Sequence, residues 1–345
     1  MRAVVVHGPR DLRIDEVPDP VPGRGEVLLA VEFGGICGSD LAYWKTGASG
    51  TAVLQHPFVL GHEVAGRVAG IGPGVVGLDV GQPVTVHPAT PLGVLPRRLA
   101  GRTNLHEKIR YLGSAAFEPH TDGGFSEYTV VRADQVRVLP DGVSTRHGAL
   151  AEPLAVAMHA VRRAGDVRDR DVLVNGAGPI GCLVVAAAKL AGAASVTVAD
   201  VAREPLVIAH ALGADDVRDL AAGDRLPDDV ELVFEASGVP AALGGVLRAT
   251  ARGGTLVQVG NLPGAPAPAA LGELVTREIT WVGSYRFSGE ITDAVRALGD
   301  GLDVGPLITG TFDLDDATSA LEFAAASRGG KVLLRLGGRD PRTLP

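Results

Sequence analysis

Hydrophobic and polar residues follow two different patterns along the chain. Up to about residue 146 the apolar runs are short, as in AVVVHG, EVLLAVEFGG, EVAGRVAGIG and PVTVHP, and Gly and Pro stand between them. Short apolar runs bounded by turn residues predict β-strands, and no long helical period interrupts them. This half of the chain is therefore predicted to be mostly β.

From about residue 147 helical and strand patterns alternate. AEPLAVAMHAVRRAG predicts a helix with Pro153 in its first turn and Gly165 just past its end. The apolar segments DVLVN, SVTVAD, VELVFE and TLVQVG follow with helical segments between them, and EITWVG comes after. Continuously apolar strands that alternate with helices predict a parallel sheet covered on both faces.

The change of pattern predicts two domains in an α/β protein. We expect a doubly wound nucleotide-binding domain over residues 151–288 and a mostly β domain over residues 1–150. Residues 289–345 return to a mixed pattern, and we expect them to fold back onto the first part of the chain. A length of 345 residues suffices for two domains of ordinary size.

Composition narrows the functional classes. A net charge of -8 gives no basic footprint for a nucleic acid. The longest apolar stretch, 180–188, is too short to span a bilayer, and the N-terminal apolar run ends too early for a signal peptide. Two cysteines far apart form no disulfide framework. We expect a cytoplasmic protein with neither a nucleic-acid nor a membrane partner.

Two stretches match the dinucleotide-binding pattern G-x-G-x-x-G. The first begins at Gly72, but Gly81 and Pro83 stand where a helix would have to follow, so it predicts a surface loop. The second, Gly176-Ala-Gly178-Pro179-Ile180-Gly181, lies between the strand DVLVN and a helical segment. Backbone amides and the helix N-terminus would hold a pyrophosphate there.

Asp200 bears on the choice of cofactor. It ends the next strand, SVTVAD, where a carboxylate can accept hydrogen bonds from a ribose diol and repel a 2′-phosphate. The sequence therefore favours NAD over NADP, although the nearby Arg203 weakens that preference.

Three residues in the first half, and one in the second, could hold a metal. Cys37 lies in GGICGSD, and His62 and Glu63 lie in LGHEVAG. Thiolate, imidazole and carboxylate are zinc ligands, and a catalytic zinc uses three of them and keeps one position open. Glu152, before the predicted helix, is a fourth candidate. Each of these residues taken singly is more often structural than metal-binding.

A regular strand would point His62 and Glu63 to opposite faces. Either the chain bends at Gly61 and both side chains reach the metal, or Glu63 stands behind the ligands and Glu152 completes the site. We rank Cys37 and His62 first as ligands, Glu63 next and Glu152 last.

The combined motifs resemble those of a known family. GGICGSD, LGHE, DGGFSEY, AEPLAVAMHA and NGAGPIG follow one another in the order and approximate spacing of zinc-dependent medium-chain dehydrogenases. The likeness is strongest to the polyol branch, which includes sorbitol and L-idonate 5-dehydrogenases, and SYRF (284–287) is similar to its substrate-side element. The resemblance implies a Rossmann domain and a GroES-like catalytic domain built from both chain ends.

The resemblance also implies an activity and the residues for it. Cys37, His62 and Glu63 would be catalytic zinc ligands, and Glu152 would lie beside the metal or its water. The expected reaction interconverts a secondary alcohol of a polyol, aldonate or cyclitol and its ketone, by alcohol deprotonation on zinc and hydride transfer to NAD. Further candidates for cofactor contact are Ser237, Val259, Gly260, Ser284 and Arg286. Candidates for the substrate pocket are Tyr43, Glu118, Arg286 and Phe287.

The chain departs from the family in two places. Many relatives hold a second, structural zinc with four cysteines near residues 90–106, where this chain has Leu92, Leu95, Arg98 and His106. We therefore expect one zinc per chain. The family's usual proton-relay histidine after CGSD is replaced by Ala42, so Ser39 would accept the alcohol proton but pass it on by another route.

Two other functions stay open at this point. One is a zinc-free NADPH-dependent reductase of quinones or enones on the same fold, and the other is a non-catalytic binding protein. Intact zinc-ligand candidates, Ser39 and Asp200 count against both. By resemblance we expect a homodimer or homotetramer, with the strand EITWVGSYRF as the candidate edge for pairing.

Overall fold

A computed structural model describes residues 1–262, 264, 266, 269, 271–326 and 329–337. The strands of the first half are β1 (Arg2–Gly8), β2 (Asp11–Glu16), β3 (Glu26–Gly35), β4 (Ala48–Ser49), β5 (Ala52–Val53), β6 (Phe58–Val59), β7 (Glu63–Ile71), β8 (Pro83–Val86), β9 (Ala89–Pro91), β10 (Ile109–Tyr111), β11 (Tyr128–Arg132) and β12 (Val136–Val138). The later strands are β13 (Asp171–Asn175), β14 (Ser195–Asp200), β15 (Asp216–Asp219), β16 (Val230–Glu235), β17 (Thr250–Gln258), β18 (Thr280–Gly283), β19 (Ile308–Asp313) and β20 (Lys331–Arg335).

The helices are α1 (Gly38–Thr46), α2 (Thr145–Gly148), α3 (Ala151–Arg163), α4 (Pro179–Leu190), α5 (Arg203–Ala211), α6 (Leu243–Ala249), α7 (Leu271–Thr276), α8 (Glu290–Gly299) and α9 (Ala317–Ala326). Among the described residues, no helix has both the length and the apolar character to cross a bilayer.

Both ends of the chain build the larger β-sheet. Its strands run in the order β12-β8-β7-β3-β20-β19, and β11 also pairs with β3. β20 lies antiparallel to β3, with Leu334 opposite Gly34, so the C-terminal segment folds back as expected. Valines and leucines of both chain ends share one apolar core because their strands are neighbours in this sheet. Residues 338–345 of the expected C-terminal segment lie outside the described residues.

The second sheet is parallel and has six strands in the order β15-β14-β13-β16-β17-β18. Its central strands are buried on both sides, as in DVLVN, where only Asp171 is exposed. Helices cover the sheet, and α4 is apolar enough to be buried along most of its length. Two elements between residues 151 and 288, β15 and α7, have no counterpart in the sequence prediction, because β15 is polar and half-buried and α7 is short.

Helix α3 lies where the two sheets meet. Ten of its thirteen residues are buried, and the helix packs against α4 and α8. A single apolar core joins residues of α3, α4 and α8 to strands of both sheets. The first residues of α3 therefore reach the first sheet while its body supports the second.

Gly72, Gly74 and Gly77 lie in a turn region without a helix. Gly74 and Gly77 both have positive φ, of 85° and 76°, which suits a loop. The prediction that this first G-x-G-x-x-G match is a loop is confirmed.

Candidate active site

Cys37, His62 and Glu63 meet at the ends of two paired strands. β3 ends at Gly35, two residues before Cys37, and β7 starts at Glu63, which pairs with Gly35. One ligand atom from each of the three side chains lies within 4.8 Å of the others. The structure thus brings together three of the four residues that the sequence proposes for a metal.

The chain bends just before Glu63. Gly61 has φ of +97°, and a Cβ there would lie 2.1 Å from the Phe125 ring, so only glycine fits. Because His62 precedes the first residue of β7, it lies outside the regular pleat. His62 and Glu63 can therefore both turn towards Cys37, and of the two alternatives raised by the sequence the structure has the bend at Gly61.

Glu63 has two different oxygens. Its side chain is 1% exposed; Oε1 accepts a hydrogen bond from Lys331 Nζ at 2.7 Å, while Oε2 has no partner among the described residues. Lys331 also donates to the Ile36 carbonyl at 3.2 Å. A buried carboxylate that has one oxygen without a partner, and that lies beside a thiol and an imidazole, fits a bound cation. Sequence analysis missed Lys331, whose only signal is a lysine at the head of the apolar strand KVLLRL.

Asp40 supports the same cluster from behind. It is fully buried; its Oδ2 accepts from the Cys37 backbone N–H at 2.8 Å and its Oδ1 from the Gly61 N–H at 3.2 Å. Burial raises the pKa of Asp40. This carboxyl group ties the two ligand-bearing segments together, a role that the sequence did not suggest.

Glu152 lies next to the cluster but outside the group of ligand atoms that come within 4.8 Å of one another. Its Oε1 accepts a hydrogen bond from the Tyr111 hydroxyl at 2.6 Å. Burial raises the pKa of Tyr111 well above its usual value, so its hydroxyl remains a donor. Burial likewise raises the pKa of Glu152. The Tyr111 ring lies 5.5 Å from the His62 ring, edge to face, which places Glu152 beside the metal candidates.

Several acidic groups close to His62 affect its pKa. Burial opposes its charged form, but the Cys37 thiolate and the carboxylates of Asp40 and Glu152 outweigh burial and raise the pKa of His62 to about 10. The surroundings thus favour a positive charge at this point. A divalent cation supplies that charge, and thiolate, imidazole and carboxylate are the donors that Zn²⁺ takes.

Ser39 lies in the first turn of α1, two residues after Cys37, and is half-buried. Ala42 lies one turn further along the same helix. The methyl group of Ala42 can neither accept nor donate a proton, so any onward proton path from Ser39 uses another group.

The second glycine motif forms a tight turn from β13 into α4. Gly176 has φ of +99°, and a Cβ on Gly181 would lie 1.9 Å from the Gly176 carbonyl oxygen. Gly178 caps α4, with Pro179 at the first helical position, and Ile180 is half-buried behind it. A Cβ on Gly178 would meet nothing within 4 Å, so the space in front of the helix N-terminus is open. This arrangement fits a pyrophosphate.

Asp200 stands beside this turn at the end of β14. Its Oδ2 accepts from the Ala177 N–H at 2.6 Å and its Oδ1 from the Ala202 N–H at 2.9 Å. Arg203 begins α5 and is exposed. Both residues thus lie at the carboxyl edge of the parallel sheet, where a ribose next to the pyrophosphate would be bound.

Glu235 organises the neighbouring loops and was missed by sequence analysis. This fully buried carboxylate accepts from the Ser237 N–H at 2.9 Å and from Gln258 Nε2 at 2.6 Å, and the Ser237 hydroxyl also donates to it. Its backbone carbonyl accepts from the Val259 and Gly260 N–H groups, each at 2.8 Å. Ser237, Val259 and Gly260 therefore lie together at the same edge of the sheet as Gly176.

Ser284 and Arg286 follow the last strand of the parallel sheet. The Ser284 N–H donates to the Gln258 carbonyl at 2.9 Å, and its buried hydroxyl has no partner in the described structure. Arg286 has φ of +51°, and its guanidinium lies 4.2 Å from the centroid of the Tyr111 ring. Tyr111 links Arg286 to Glu152 and hence to the metal candidates.

The other pocket candidates are engaged in packing or surface contacts. Tyr43 is 2% exposed, and its hydroxyl accepts from the Ala115 N–H at 3.0 Å. Phe287 is also buried, with its ring 4.8 Å from that of His87. Glu118 is exposed and pairs with His56 Nε2 at 3.0 Å.

His56, Glu118 and His120 form a second group of possible metal ligands among the described residues. His120 Nε2 already accepts from the Gln55 N–H at 2.9 Å, and its Nδ1 faces the Phe117 carbonyl at 3.1 Å. A neutral imidazole has only one lone pair on nitrogen, and here it is already used. This group is a poorer fit for a cation than the Cys37 cluster.

Comparison with known proteins decides the family. Residues 23–141 match the family model described as alcohol dehydrogenase GroES-like domain, and residues 179–300 match the one described as zinc-binding dehydrogenase. The chain belongs to the zinc-binding alcohol dehydrogenase family. The expected family and its fold, a GroES-like domain with a Rossmann domain, are thereby confirmed, and the family's cofactors are zinc and a nicotinamide nucleotide.

Relatives match this zinc-binding dehydrogenase over nearly its full length. Sorbitol dehydrogenase of Bos taurus is 36% identical over 98% of this chain and 97% of its own. L-idonate 5-dehydrogenase (NAD(P)(+)) of Escherichia coli K12 is 36% identical over 94% of this chain and 95% of its own. The crystal structure of the Escherichia coli L-idonate 5-dehydrogenase superposes with a TM-score of 0.89, at 35% identity over 97% of both chains. The crystal structure of a zinc-binding dehydrogenase of Sinorhizobium meliloti 1021 bound to NADP superposes with a TM-score of 0.88, at 31% identity over 97% of this chain and 98% of its own.

Proposed function

We propose that this protein is an NAD-dependent dehydrogenase with one zinc per chain that interconverts a secondary alcohol of a polyol, aldonate or cyclitol and its ketone. The observation that carries the proposal is the convergence of the side chains of Cys37, His62 and Glu63, the last of which has one oxygen without a partner among the described residues. Relatives named sorbitol dehydrogenase and L-idonate 5-dehydrogenase support the substrate class. The two-domain division at residues 150 and 289 is part of the same proposal.

Cys37, His62 and Glu63 would hold the zinc, and Glu152 would lie beside it. When bound, zinc supplies a Lewis acid that lowers the pKa of an alcohol, and the nicotinamide accepts the hydride. Lys331 balances the charge of Glu63, and Asp40 holds the backbone of Cys37 and Gly61 in place. Ser39 Oγ would accept the alcohol proton, which would leave by water or by a hydroxyl of the cofactor, since Ala42 offers no acceptor.

The cofactor would lie along the carboxyl edge of the parallel sheet. Gly176, Gly178, Pro179, Ile180 and Gly181 would hold its pyrophosphate, and Asp200 its adenosine ribose. Further contacts would come from Arg203, Ser237, Val259, Gly260 and Ser284. The Asp200 carboxylate supports NAD over NADP because it would repel a 2′-phosphate, whereas the exposed Arg203, three residues further along the chain, could favour one.

Arg286 is the substrate-side group that we propose with the most structural support. Its guanidinium stacks on Tyr111, whose hydroxyl touches Glu152, so a donor lies one side chain away from the metal candidates. Hydroxyl or carboxylate oxygens of a substrate would accept from it. The other three substrate-side candidates are weaker proposals. Tyr43 and Phe287 are buried in packing contacts, and Glu118 pairs with His56.

The experiment for this function measures zinc and activity on the same preparation. We expect one zinc per chain by metal analysis and reduction of NAD, monitored at its nicotinamide absorbance, with at least one member of a panel of hexitols, aldonates and cyclitols. NADP run in parallel should give a lower kcat/KM. Two zincs per chain, or turnover only of quinones or enones with NADPH, would contradict the proposal.

We also propose a homo-oligomer in the cytoplasm. β18 is an edge strand of the parallel sheet, and one row of its backbone groups has no sheet partner among the described residues, which suits pairing with a second copy. Both cysteines are free thiols, as expected in a reducing compartment. Light scattering coupled to size-exclusion chromatography distinguishes a dimer from a tetramer, and a monomer would contradict the proposal.

A further inference from the structure

The loop that carries Arg286 is held in an unfavourable conformation. Arg286 is not a glycine, yet its φ of +51° lies in the left-handed region, which costs free energy for such a residue. Within the described residues no carboxylate or hydrogen-bond acceptor contacts the guanidinium, which makes only ring contacts, with Tyr111 and Tyr285. The loop's own contacts therefore do not explain why Arg286 keeps this conformation.

Asn104 holds the chain directly before Arg286. This asparagine lies in the 3-10 turn Thr103–Leu105 and is 4% exposed. Its Nδ2 donates one hydrogen to the Tyr285 carbonyl at 2.7 Å, and it faces His159 Nε2 at 3.4 Å with the other. Its Oδ1 accepts from the Ser288 hydroxyl at 3.1 Å. Every polar group of the Asn104 amide is thus used on the loop or on α3.

The chain after Arg286 is held by the same group of residues. The Ser288 N–H donates to Glu290 Oε2 at 2.8 Å, and Glu290 Oε1 lies 3.0 Å from His159 Nδ1. Burial opposes ionisation of Glu290, but hydrogen bonds from His159 and from backbone N–H groups lower its pKa to about 2. An ionised Glu290 assigns the proton to His159 Nδ1 and leaves Nε2 to accept from Asn104. The His159 tautomer with its proton on Nδ1 is therefore consistent with the orientation of the Asn104 amide, whose NH₂ group points to Nε2.

We propose that Asn104 is a positioning residue for Arg286, acting through a clamp made of Asn104, His159, Ser288 and Glu290. The clamp fixes the loop on both sides of Arg286, at Tyr285 and at Ser288, and so keeps the guanidinium stacked on Tyr111. Its effect on catalysis rests on the proposed function, in which Arg286 contacts the substrate. The holding of the loop does not depend on that function.

The kinetic test is a double-mutant cycle of Asn104 and Arg286. Asn104→Ala should raise the KM for the alcohol about tenfold while kcat changes little, because a misplaced donor loses binding. Arg286→Ala should raise KM similarly, and Asn104→Ala added to Arg286→Ala should raise it no further. Effects that multiply in the double variant, or an unchanged KM in Asn104→Ala, would overturn the proposal.

Matched variants separate positioning from general stability. Asn104→Asp keeps the size and the Oδ1 acceptor but removes both donors, so it should raise KM as Asn104→Ala does. Ser288→Ala removes a single hydroxyl, and it replaces Asn104→Ala as the test of the clamp if Asn104→Ala does not fold. Arg97→Ala, on an exposed residue of the same segment, should leave KM unchanged. A KM in Asn104→Asp equal to that of the wild type would contradict the role of the two donors.

Hydrogen exchange tests the clamp without any substrate. In the wild type the peptide covering residues 284–289 should exchange slowly, and in Asn104→Asp or Ser288→Ala it should exchange several-fold faster, with other peptides of the parallel sheet unchanged. If no panel substrate is turned over, the proposed function fails while this measurement still decides on the clamp. Equal exchange in wild type and variants would overturn the clamp itself.

Discussion

At the scale of single residues, the site depends on which atoms of buried charges have partners. Glu63 and Lys331 form an ion pair of which both side chains are less than 5% exposed, and the other oxygen of Glu63 has no partner among the described residues. Removing one partner from a buried pair leaves an uncompensated charge, which is far more costly than removing an exposed one.

The variant Lys331→Met should show how far the stability depends on the buried Glu63–Lys331 pair. We expect the metal-free protein to lose about 3 kcal/mol of unfolding free energy, because Glu63 is left buried without its cation. Zinc should restore part of this loss, since a bound cation would compensate the same carboxylate. Urea denaturation with a chelator and with excess zinc measures both values. A loss below about 0.5 kcal/mol, as for an exposed pair, would show that Glu63 does not need Lys331.

Ser39 tests the proposed proton path at the same scale. Ser39→Ala should lower kcat by about a hundredfold or more, as expected when a group that accepts a proton is lost. Ala42→His introduces the family's usual acceptor one turn along α1 and should leave kcat equal or higher. Steady-state kinetics with any active alcohol measures both variants, and full activity in Ser39→Ala would refute the relay.

At the scale of elements, the turn from β13 into α4 gives its glycines separate tasks. Gly181 lies against the Gly176 carbonyl, where any side chain would collide, whereas Gly178 faces open space with ordinary φ of -60°. The first contact maintains the packing of helix on strand, and the second leaves room for a ligand. The G-x-G-x-x-G pattern predicts both, because each glycine has a distinct steric reason.

Alanine variants at these two positions should therefore differ. Gly178→Ala should keep its melting temperature within a few degrees yet weaken NADH binding about tenfold or more, because the methyl group enters the space proposed for the pyrophosphate. Gly181→Ala should lower the melting temperature itself, because its Cβ would lie 1.9 Å from a carbonyl oxygen. Calorimetry measures the melting temperatures of the two variants, and fluorescence titration measures their affinity for NADH. Unchanged NADH affinity in a folded Gly178→Ala would place the cofactor elsewhere.

At the scale of the whole molecule, polar contacts join segments that are distant in the sequence. Glu290 on α8 contacts His159 on α3 and the loop after β18, while Glu152, in the first turn of α3, lies at the candidate metal site. The edge of the parallel sheet and the metal candidates are thus joined through one helix.

This link predicts a pH dependence of stability. The pKa of Glu290 falls from 4.5 to about 2 on folding, so its contribution is present above pH 4.5 and is lost as the pH falls towards 2. A shift of this size corresponds to about 3 kcal/mol. Glu290→Gln should flatten the fall of unfolding free energy over this range, measured by urea denaturation of metal-free protein. The same slope in wild type and variant would remove Glu290 as a source of the pH dependence.

How far the sequence alone could lead differs between the parts of this protein. Local pattern predicted long strands such as β3, β7 and β13, the helix beginning near Glu152, the turn at Gly176 and the loop at Gly72, because hydrophobic period, turn residues and steric demands of glycine are all local properties. The motifs around Cys37 and His62 also indicated zinc chemistry and the family. The mixed pattern after residue 289 predicted that the C-terminal segment folds back, and the resemblance agreed that both chain ends share one domain.

Only the tertiary structure decided which distant side chains meet. Lys331 lies 268 positions from Glu63, and Asn104 lies 181 from Tyr285, and neither pairing has a local signature in the sequence. Asp40, Tyr111 and Glu235 likewise gain their roles from burial next to particular partners. Whether Glu63 could join Cys37 and His62 depended on the backbone at Gly61, since a regular strand would have turned Glu63 away. Burial and backbone direction are properties of the folded chain, and they determine which of its many charged residues form a site.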